Sequence, residues 1–178
     1  MNHVRHLFHR PLNVLLLPLL LSACTHAPAT VAVAHLTPAS DAATGVLLRV
    51  QDAGGQEHSF TRDQLAALGL VSYTTPDPAL KNRKVQYVGP LLSSVLRAAG
   101  VAQDSRLVLA AHDHYRTVLD LKPLDNVPLV LALEADGKPL KLSNQGPVYL
   151  VFPYQAYKLD HNLYDAAWVW QLERIEVK

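Results

Sequence analysis

From residue 45 onward the chain alternates short apolar runs with turn-forming polar clusters, the rhythm of strands broken by brief helices. Val46-Leu47-Leu48-Arg49-Val50 and Glu57-His58-Ser59-Phe60 flank the turn Asp52-Ala53-Gly54-Gly55 and predict a β-hairpin. A helical pattern follows. Thr61 and Gln64 have capping-box spacing, Phe60 and Leu65 that of a hydrophobic staple, and Gly69 follows Leu68 as a stop. A second helix is predicted to start at Gly89-Pro90, where proline suits the first turn, and to present Leu91, Leu92, Val95, Leu96 and Ala99 on one side before Gly100.

The second half reads mainly as strand, over residues 106–111, 115–120, 129–134 and 148–152, with Asp136-Gly137 as a tight turn between Leu133 and Leu140. In the last segment, 168–177, Trp168, Trp170 and Leu172 share one face and read as core, whereas Ile175 and Val177 have the opposite parity. A β-bulge near Glu173 would restore a common face. Strands and short helices in this irregular order predict an α+β domain with mixed β-sheets rather than a βαβ array.

Upstream the pattern changes. His3, Arg5, His6, His9 and Arg10 precede an apolar stretch, residues 14–21, and small residues lead to the sole cysteine in Leu21-Ser22-Ala23-Cys24. This segment resembles a bacterial lipobox, which implies cleavage before Cys24 and acylation of its thiol. The rival is an uncleaved membrane helix, but Pro18 interrupts a run already short of the ~20 apolar residues that span a bilayer. Residues 1–23 are therefore assigned to a lipoprotein signal peptide. Residues 24–44, rich in Ala, Thr, Ser and Pro, are assigned to the lipidated cysteine and a flexible spacer, and 45–178 to one folded domain. Thr25 in place of an aspartate implies, by resemblance to Gram-negative lipoproteins, a periplasmic domain held at the inner leaflet of the outer membrane.

Removing 23 of the 178 residues leaves 155, and with Arg5 and Arg10 gone the 16 Lys+Arg fall to 14 against 15 Asp+Glu, a formal charge of −1. A nucleic-acid partner would need a basic surplus that this domain lacks. With the only thiol on the anchor, disulfides, Cys-ligated zinc, iron–sulfur clusters and a thiol nucleophile are excluded. The soluble part is expected to be a monomer. No Gly-x-Ser-x-Gly elbow, His-Glu-x-x-His, phosphate loop or dinucleotide fingerprint occurs.

Six short patterns in one order then resemble the oxidoreductase molybdopterin-binding domain of sulfite oxidase type. They are Phe60-Thr61-Arg62-Asp63-Gln64-Leu65; Tyr87-Val88-Gly89-Pro90-Leu91-Leu92 with Leu96 and Ala99-Gly100-Val101; and Ala111-His112-Asp113-His114-Tyr115. The others are Leu131-Ala132 with Asp136-Gly137-Lys138-Pro139-Leu140; Gly146-Pro147 with Leu150-Val151-Phe152-Pro153; and Trp168 with Arg174-Ile175-Glu176-Val177. The resemblance implies that family's fold over residues 45–178, and a molybdenum-binding cysteine thiolate between the first helix and the Gly89-Pro90 segment. Residues 71–88 contain no cysteine; Ser72, Tyr73, Thr74 and Thr75 stand in that neighbourhood. Tyr149 replaces a family arginine and His114 a family glycine. A hydroxyl is a poor substitute for a soft thiolate at an oxo-metal centre, and phosphate-bearing pterins need convergent cations. No cofactor is therefore expected, with a molybdopterin-type cofactor as the alternative.

Two places remain for binding. His112 and His114 would point the same way on a strand and, with His161 or Asp160, could offer a metal site, but a hydrogen-bonded loop is the favoured reading and no metal is expected. Asp113 is expected to bond backbone amides and shape the turn into Tyr115. The loop 153–164 carries Tyr154, Tyr157, Lys158, His161 and Tyr164 and, by the resemblance, lies beside the family's cofactor cleft. Tyrosines offer contact area with a polar tip, so ligand or partner contacts are expected from Asp113, His114, Tyr115, Tyr154, Tyr157 and Lys158, against the competing reading that the tyrosines pack the loop. The resulting expectation is a non-catalytic, lipid-anchored periplasmic binding or sensory accessory domain that docks on a membrane signalling receptor or takes a small ligand. A molybdopterin-dependent oxidoreductase and a structural envelope lipoprotein are the alternatives.

Overall fold

The computed structural model describes residues 32–35 and 45–178. The signal segment, Cys24 and the rest of the predicted spacer lie outside the described residues. In chain order the elements are β1 (Ala32–Val33), β2 (Val46–Gln51), β3 (Glu57–Thr61), α1 (Arg62–Ala67), β4 (Leu70–Asp77), β5 (Arg83–Pro90), α2 (Leu92–Ala98), β6 (Arg106–Ala111) and β7 (Arg116–Asp120). There follow β8 (Val130–Ala132), β9 (Glu134–Ala135), β10 (Lys138–Pro139), β11 (Tyr149–Val151), α3 (Tyr154–Tyr157), α4 (His161–Tyr164) and β12 (Leu172–Val177). They form two five-stranded sheets, ordered β1-β4-β5-β9-β10 and β3-β2-β12-β6-β7, and the pair β11-β8.

The second sheet grows from the predicted hairpin, with Leu48 opposite Phe60 and Val50 opposite His58. Thr61 caps α1 reciprocally: its hydroxyl accepts from the Gln64 amide at 3.3 Å, and Gln64 Oε1 accepts from the Thr61 amide at 2.8 Å. At the sheet centre β12 runs parallel to β2 and antiparallel to β6, and its register slips between Leu172 and Arg174. This is the predicted bulge, and Leu172 and Ile175 are both fully buried. Asp136 (φ 48°) and Gly137 (φ 72°) supply the two left-handed residues of a primed turn between β9 and β10. Leu65, Leu96, Leu109, Leu131 and Leu150, from five different elements, meet in one core.

The β4–β5 ladder, eight residues a side, falls where the hydrophobic pattern predicts no strand. Its inward positions explain why: Tyr73, Thr75 and Asp77 are buried and polar, so period-two apolar alternation is absent. Gly89, on β5, is needed for close approach, since a Cβ there would stand 2.0 Å from the Leu131 carbonyl oxygen of β8.

Other expectations are corrected by backbone geometry. Pro90 ends β5 opposite Leu70 instead of opening a helix; α2 starts at Leu92, whose amide donates to the Leu129 carbonyl at 2.8 Å. Trp170 is not core: the chain turns at Gln171 (φ 50°) before β12 begins, leaving Trp170 45% exposed while Trp168 stays buried. Part of the predicted spacer has regular structure, because Ala32 and Val33 pair with Ser72 and Val71. A buried ion pair, Arg62 with Glu134 at 3.1 Å, fastens α1 to β9.

Candidate functional site

The interval 71–88 is built as the β4–β5 hairpin, and its hydroxyls are committed to packing. Tyr73 Oη donates to the Val151 carbonyl and Thr75 Oγ1 to the Phe152 carbonyl, each at 2.9 Å, docking the hairpin on β11 and its exit. Ser72 is buried beside them and Thr74 is exposed. Asp77 follows, with none of its surface exposed. Its Oδ1 accepts from the Ala79 amide at 2.8 Å, its Oδ2 from the Tyr87 hydroxyl, and Tyr149 Oη lies 3.2 and 3.3 Å from the two oxygens.

Burial first, and the Asp77 carboxylate second, push both phenols well above the ordinary tyrosine range, so they remain donors. The rings of Tyr87, Tyr149 and Trp168 pack edge to face at centroid distances of 5.6–6.4 Å. This fully buried carboxylate with two phenol donors is what sequence reasoning missed. The partner that buries Asp77, Tyr149, is far away in sequence. No local signal could have found it.

The turn 112–115 closes the β6–β7 hairpin. Asp113 Oδ1 accepts from the Tyr115 amide at 3.0 Å, the shaping role expected of it. His114 occupies the left-handed region (φ 71°), a position that favours the glycine the family carries there. Because β6 ends at Ala111, His112 and His114 are turn residues and strand alternation does not apply to them. His112 Nδ1 lies 2.9 Å from Glu173, His161 pairs with Asp165, and Asp160 caps α4 through the Asn162 amide. Among the described residues no group of three His, Cys, Asp or Glu could hold a metal. The alternative metal set of His112 and His114 with His161 or Asp160 is not brought together.

Exposed Tyr115 of this turn donates to the Ala166 carbonyl at 2.9 Å, two residues beyond the loop 153–164. Its own tyrosines, however, turn largely inward. Tyr154 is 3% exposed, donates to Asp165 Oδ1 at 2.6 Å and packs on Phe152, Trp168 and His161. Burial, then the Asp165 carboxylate, raise its phenol above the ordinary range. Tyr157 is half-buried in α3, Tyr164 stacks on Phe152, and Lys158, exposed, ends α3 in the left-handed region. Tyr154, expected to project from the loop, instead holds it together. Lys158, Tyr115 and His114 keep accessible surface; Tyr154 does not.

A cavity of about 330 Å³ opens elsewhere, between α2 and residues 121–129. Of the apolar stripe predicted for this helix, Leu92 and Leu96 lie buried beneath the cavity and Leu91 is half-buried.

A family model described as "Oxidoreductase molybdopterin binding domain" matches residues 35–178. Among solved structures the chain is similar to the sulfane dehydrogenase SoxCD from Paracoccus pantotrophus, with a TM-score of 0.56 and 18% identity. The match covers 73% of this chain and 37% of that one, and at such identity it is the fold that is shared. No curated protein matches by sequence.

Proposed function

The chain belongs to the oxidoreductase molybdopterin-binding domain family, and from that premise we propose that it is a non-catalytic binding or sensory accessory module, lipid-anchored in the periplasm and docking on a membrane signalling receptor. The donor set of the β4–β5 hairpin carries this reading. Residues 71–88 offer no thiolate, the hydroxyls of Tyr73 and Thr75 are bonded to strand carbonyls, and Asp77 is bonded to two phenols and an amide. Hard, buried oxygens already paired with one another do not fit a soft-ligand oxo-metal site. Tyr149, where the resemblance places a family arginine, donates to buried Asp77 and offers no cation to a cofactor phosphate. The residues present do not fit the cofactor, and a shared fold does not supply the missing chemistry.

Family membership favours a second reading, an oxidoreductase that still uses a molybdopterin-type cofactor. Molybdenum analysis of protein purified from cofactor-replete cells decides between them: the module carries only traces, whereas one metal per chain would establish the enzyme. The anchor rests on Leu21-Ser22-Ala23-Cys24; Cys24→Ser should abolish incorporation of labelled palmitate. Crosslinking in intact envelopes should recover a membrane receptor, and its failure to do so would reduce the protein to a structural lipoprotein.

A further inference from the structure

The cavity beside α2 shares no residue with the Asp77 cluster, the turn at Asp113 or the loop 153–164. Leu92, Leu96, Leu124 and Leu129 line it, and all four are buried. Its walls are fixed through the backbone: the Leu92 amide donates to the Leu129 carbonyl at 2.8 Å, Leu124 to Leu121 at 2.9 Å and Val127 to Leu124 at 3.0 Å. Little ordering therefore remains to be done on binding.

Two exposed opposite charges also line the cavity, Arg97 and Asp125. Among the described residues neither has a hydrogen-bond or ion-pair partner, and they do not pair with each other. Gln103, a third polar lining residue, donates through Nε2 to the Ser93 and Val101 carbonyls at 3.3 and 3.4 Å, which leaves its own carbonyl oxygen as an acceptor.

Half-buried Leu91, Val127 and Pro128 give the cavity its accessible apolar wall, and with a separated cation and anion this is complementary to a molecule that carries an apolar group and both charges. We infer that this cavity binds a zwitterion with an aliphatic side chain, the chemistry of a free aliphatic α-amino acid. The carboxylate pairs with the Arg97 guanidinium, the ammonium with Asp125 and the Gln103 carbonyl, and the side chain lies on Leu91, Val127 and Pro128, the lining residues that keep apolar surface. At about 330 Å³ the space is at the low end of the roughly 300–1,000 Å³ of small-molecule sites, suited to a ligand of this size. Either charge alone would accept any carboxylate or any amine; the two together select the molecule that holds both. The site goes beyond the function proposed above and is independent of the anchor and the receptor.

The test is a calorimetric titration of the full chain in detergent with L-leucine, with isocaproate, which lacks the ammonium, and with isoamylamine, which lacks the carboxylate. Saturable binding of L-leucine is expected, with each singly charged analogue weaker by about tenfold or more, the scale of one lost charge-assisted hydrogen bond. Arg97→Gln should weaken L-leucine to the level of isoamylamine without affecting isoamylamine itself, and Asp125→Asn should do the same relative to isocaproate. Both side chains are exposed, so circular dichroism should be unchanged. Absence of saturable L-leucine binding to the parent, or binding that neither variant alters, overturns the assignment and leaves the module reading as it stands.

Discussion

The hydroxyl of Tyr149 lies 3.2 Å from Oδ2 of Asp77, a carboxylate with no exposed surface and 72 residues distant in the chain. With the Tyr87 hydroxyl on the same carboxyl group, this bond clasps β11 to the β4–β5 hairpin.

Asp77→Ala would strand two buried hydroxyls and the Ala79 amide. At about 1–3 kcal/mol for each orphaned buried donor, it should cost roughly 4 kcal/mol. Asp77→Asn keeps the shape and one acceptor and should cost about half as much, and Tyr149→Phe, which removes one donor of three, about 1 kcal/mol. Urea midpoints at unchanged m-value measure all three. A midpoint for Asp77→Ala equal to the parent's would mean that the clasp carries no stability.

The tyrosines also set the alkaline limit. Burial raises the phenols of Tyr73, Tyr87, Tyr149 and Tyr154 above 10, with Asp77 adding to the effect at Tyr87 and Tyr149. A raised folded-state value means stability that is complete below about pH 10 and lost as pH climbs beyond it, because only the unfolded chain releases those protons. Each such group removes about 1.4 kcal/mol per pH unit. Phenolate absorbance from four of the seven tyrosines should therefore appear only as the fold opens. Their ionisation with circular dichroism still native would contradict their burial.

What the sequence disclosed was local. The capping box of Thr61 and Gln64, the primed turn Asp136-Gly137 and the parity break at Glu173 are each written within a few residues, and each occurs as predicted. What it concealed depends on distant partners. Tyr73, Thr75 and Asp77 are polar residues made core by β11, and Trp170 loses its expected burial to one left-handed residue, Gln171. Of the candidate site, Asp113 was legible because its partner is two residues away; the inward turn of Tyr154 was not, because Trp168 and Asp165 cause it.

That inward turn makes Tyr154→Ala a core deletion rather than a test of recognition. It should cost about 3–5 kcal/mol, as loss of a buried aromatic does, whereas Tyr154→Phe gives up only the Asp165 bond, at about 1 kcal/mol. Chemical denaturation of the two variants checks the ratio. Equal costs would assign the stabilisation to the hydroxyl and not to the ring.

Arg62 and Glu134 are 8% and 1% exposed and hold α1 on β9. Removing Arg62 takes away a buried charge-assisted bond to Glu134, so Arg62→Met alone should cost about 1.5–3 kcal/mol, while Arg62→Met with Glu134→Leu should recover part of the loss. A double-mutant cycle measures the coupling. Additive costs would show that the two groups do not depend on each other.

Restoring a thiol to the β4–β5 hairpin separates a missing ligand from a missing site. Ser72 is 7% exposed and close in size to cysteine, and Thr74 faces solvent, so Ser72→Cys and Thr74→Cys should fold. Tyr73→Cys gives up a buried ring and the bond to Val151, and should lose about 3 kcal/mol or more. None of the three should retain molybdenum after purification from cofactor-replete cells or oxidise sulfite. The reason lies beyond the thiol: Asp77 presents buried oxygens already bonded to two phenols and an amide, and Tyr149 a donor already committed to them, where an anionic pterin needs convergent cations. Adding Tyr149→Arg to Ser72→Cys should not change the outcome, because the new guanidinium would pair with Asp77 before any phosphate. Stoichiometric molybdenum in any single variant would reverse the conclusion, making the absent cysteine the whole of the defect and the domain a cofactor site lacking one ligand.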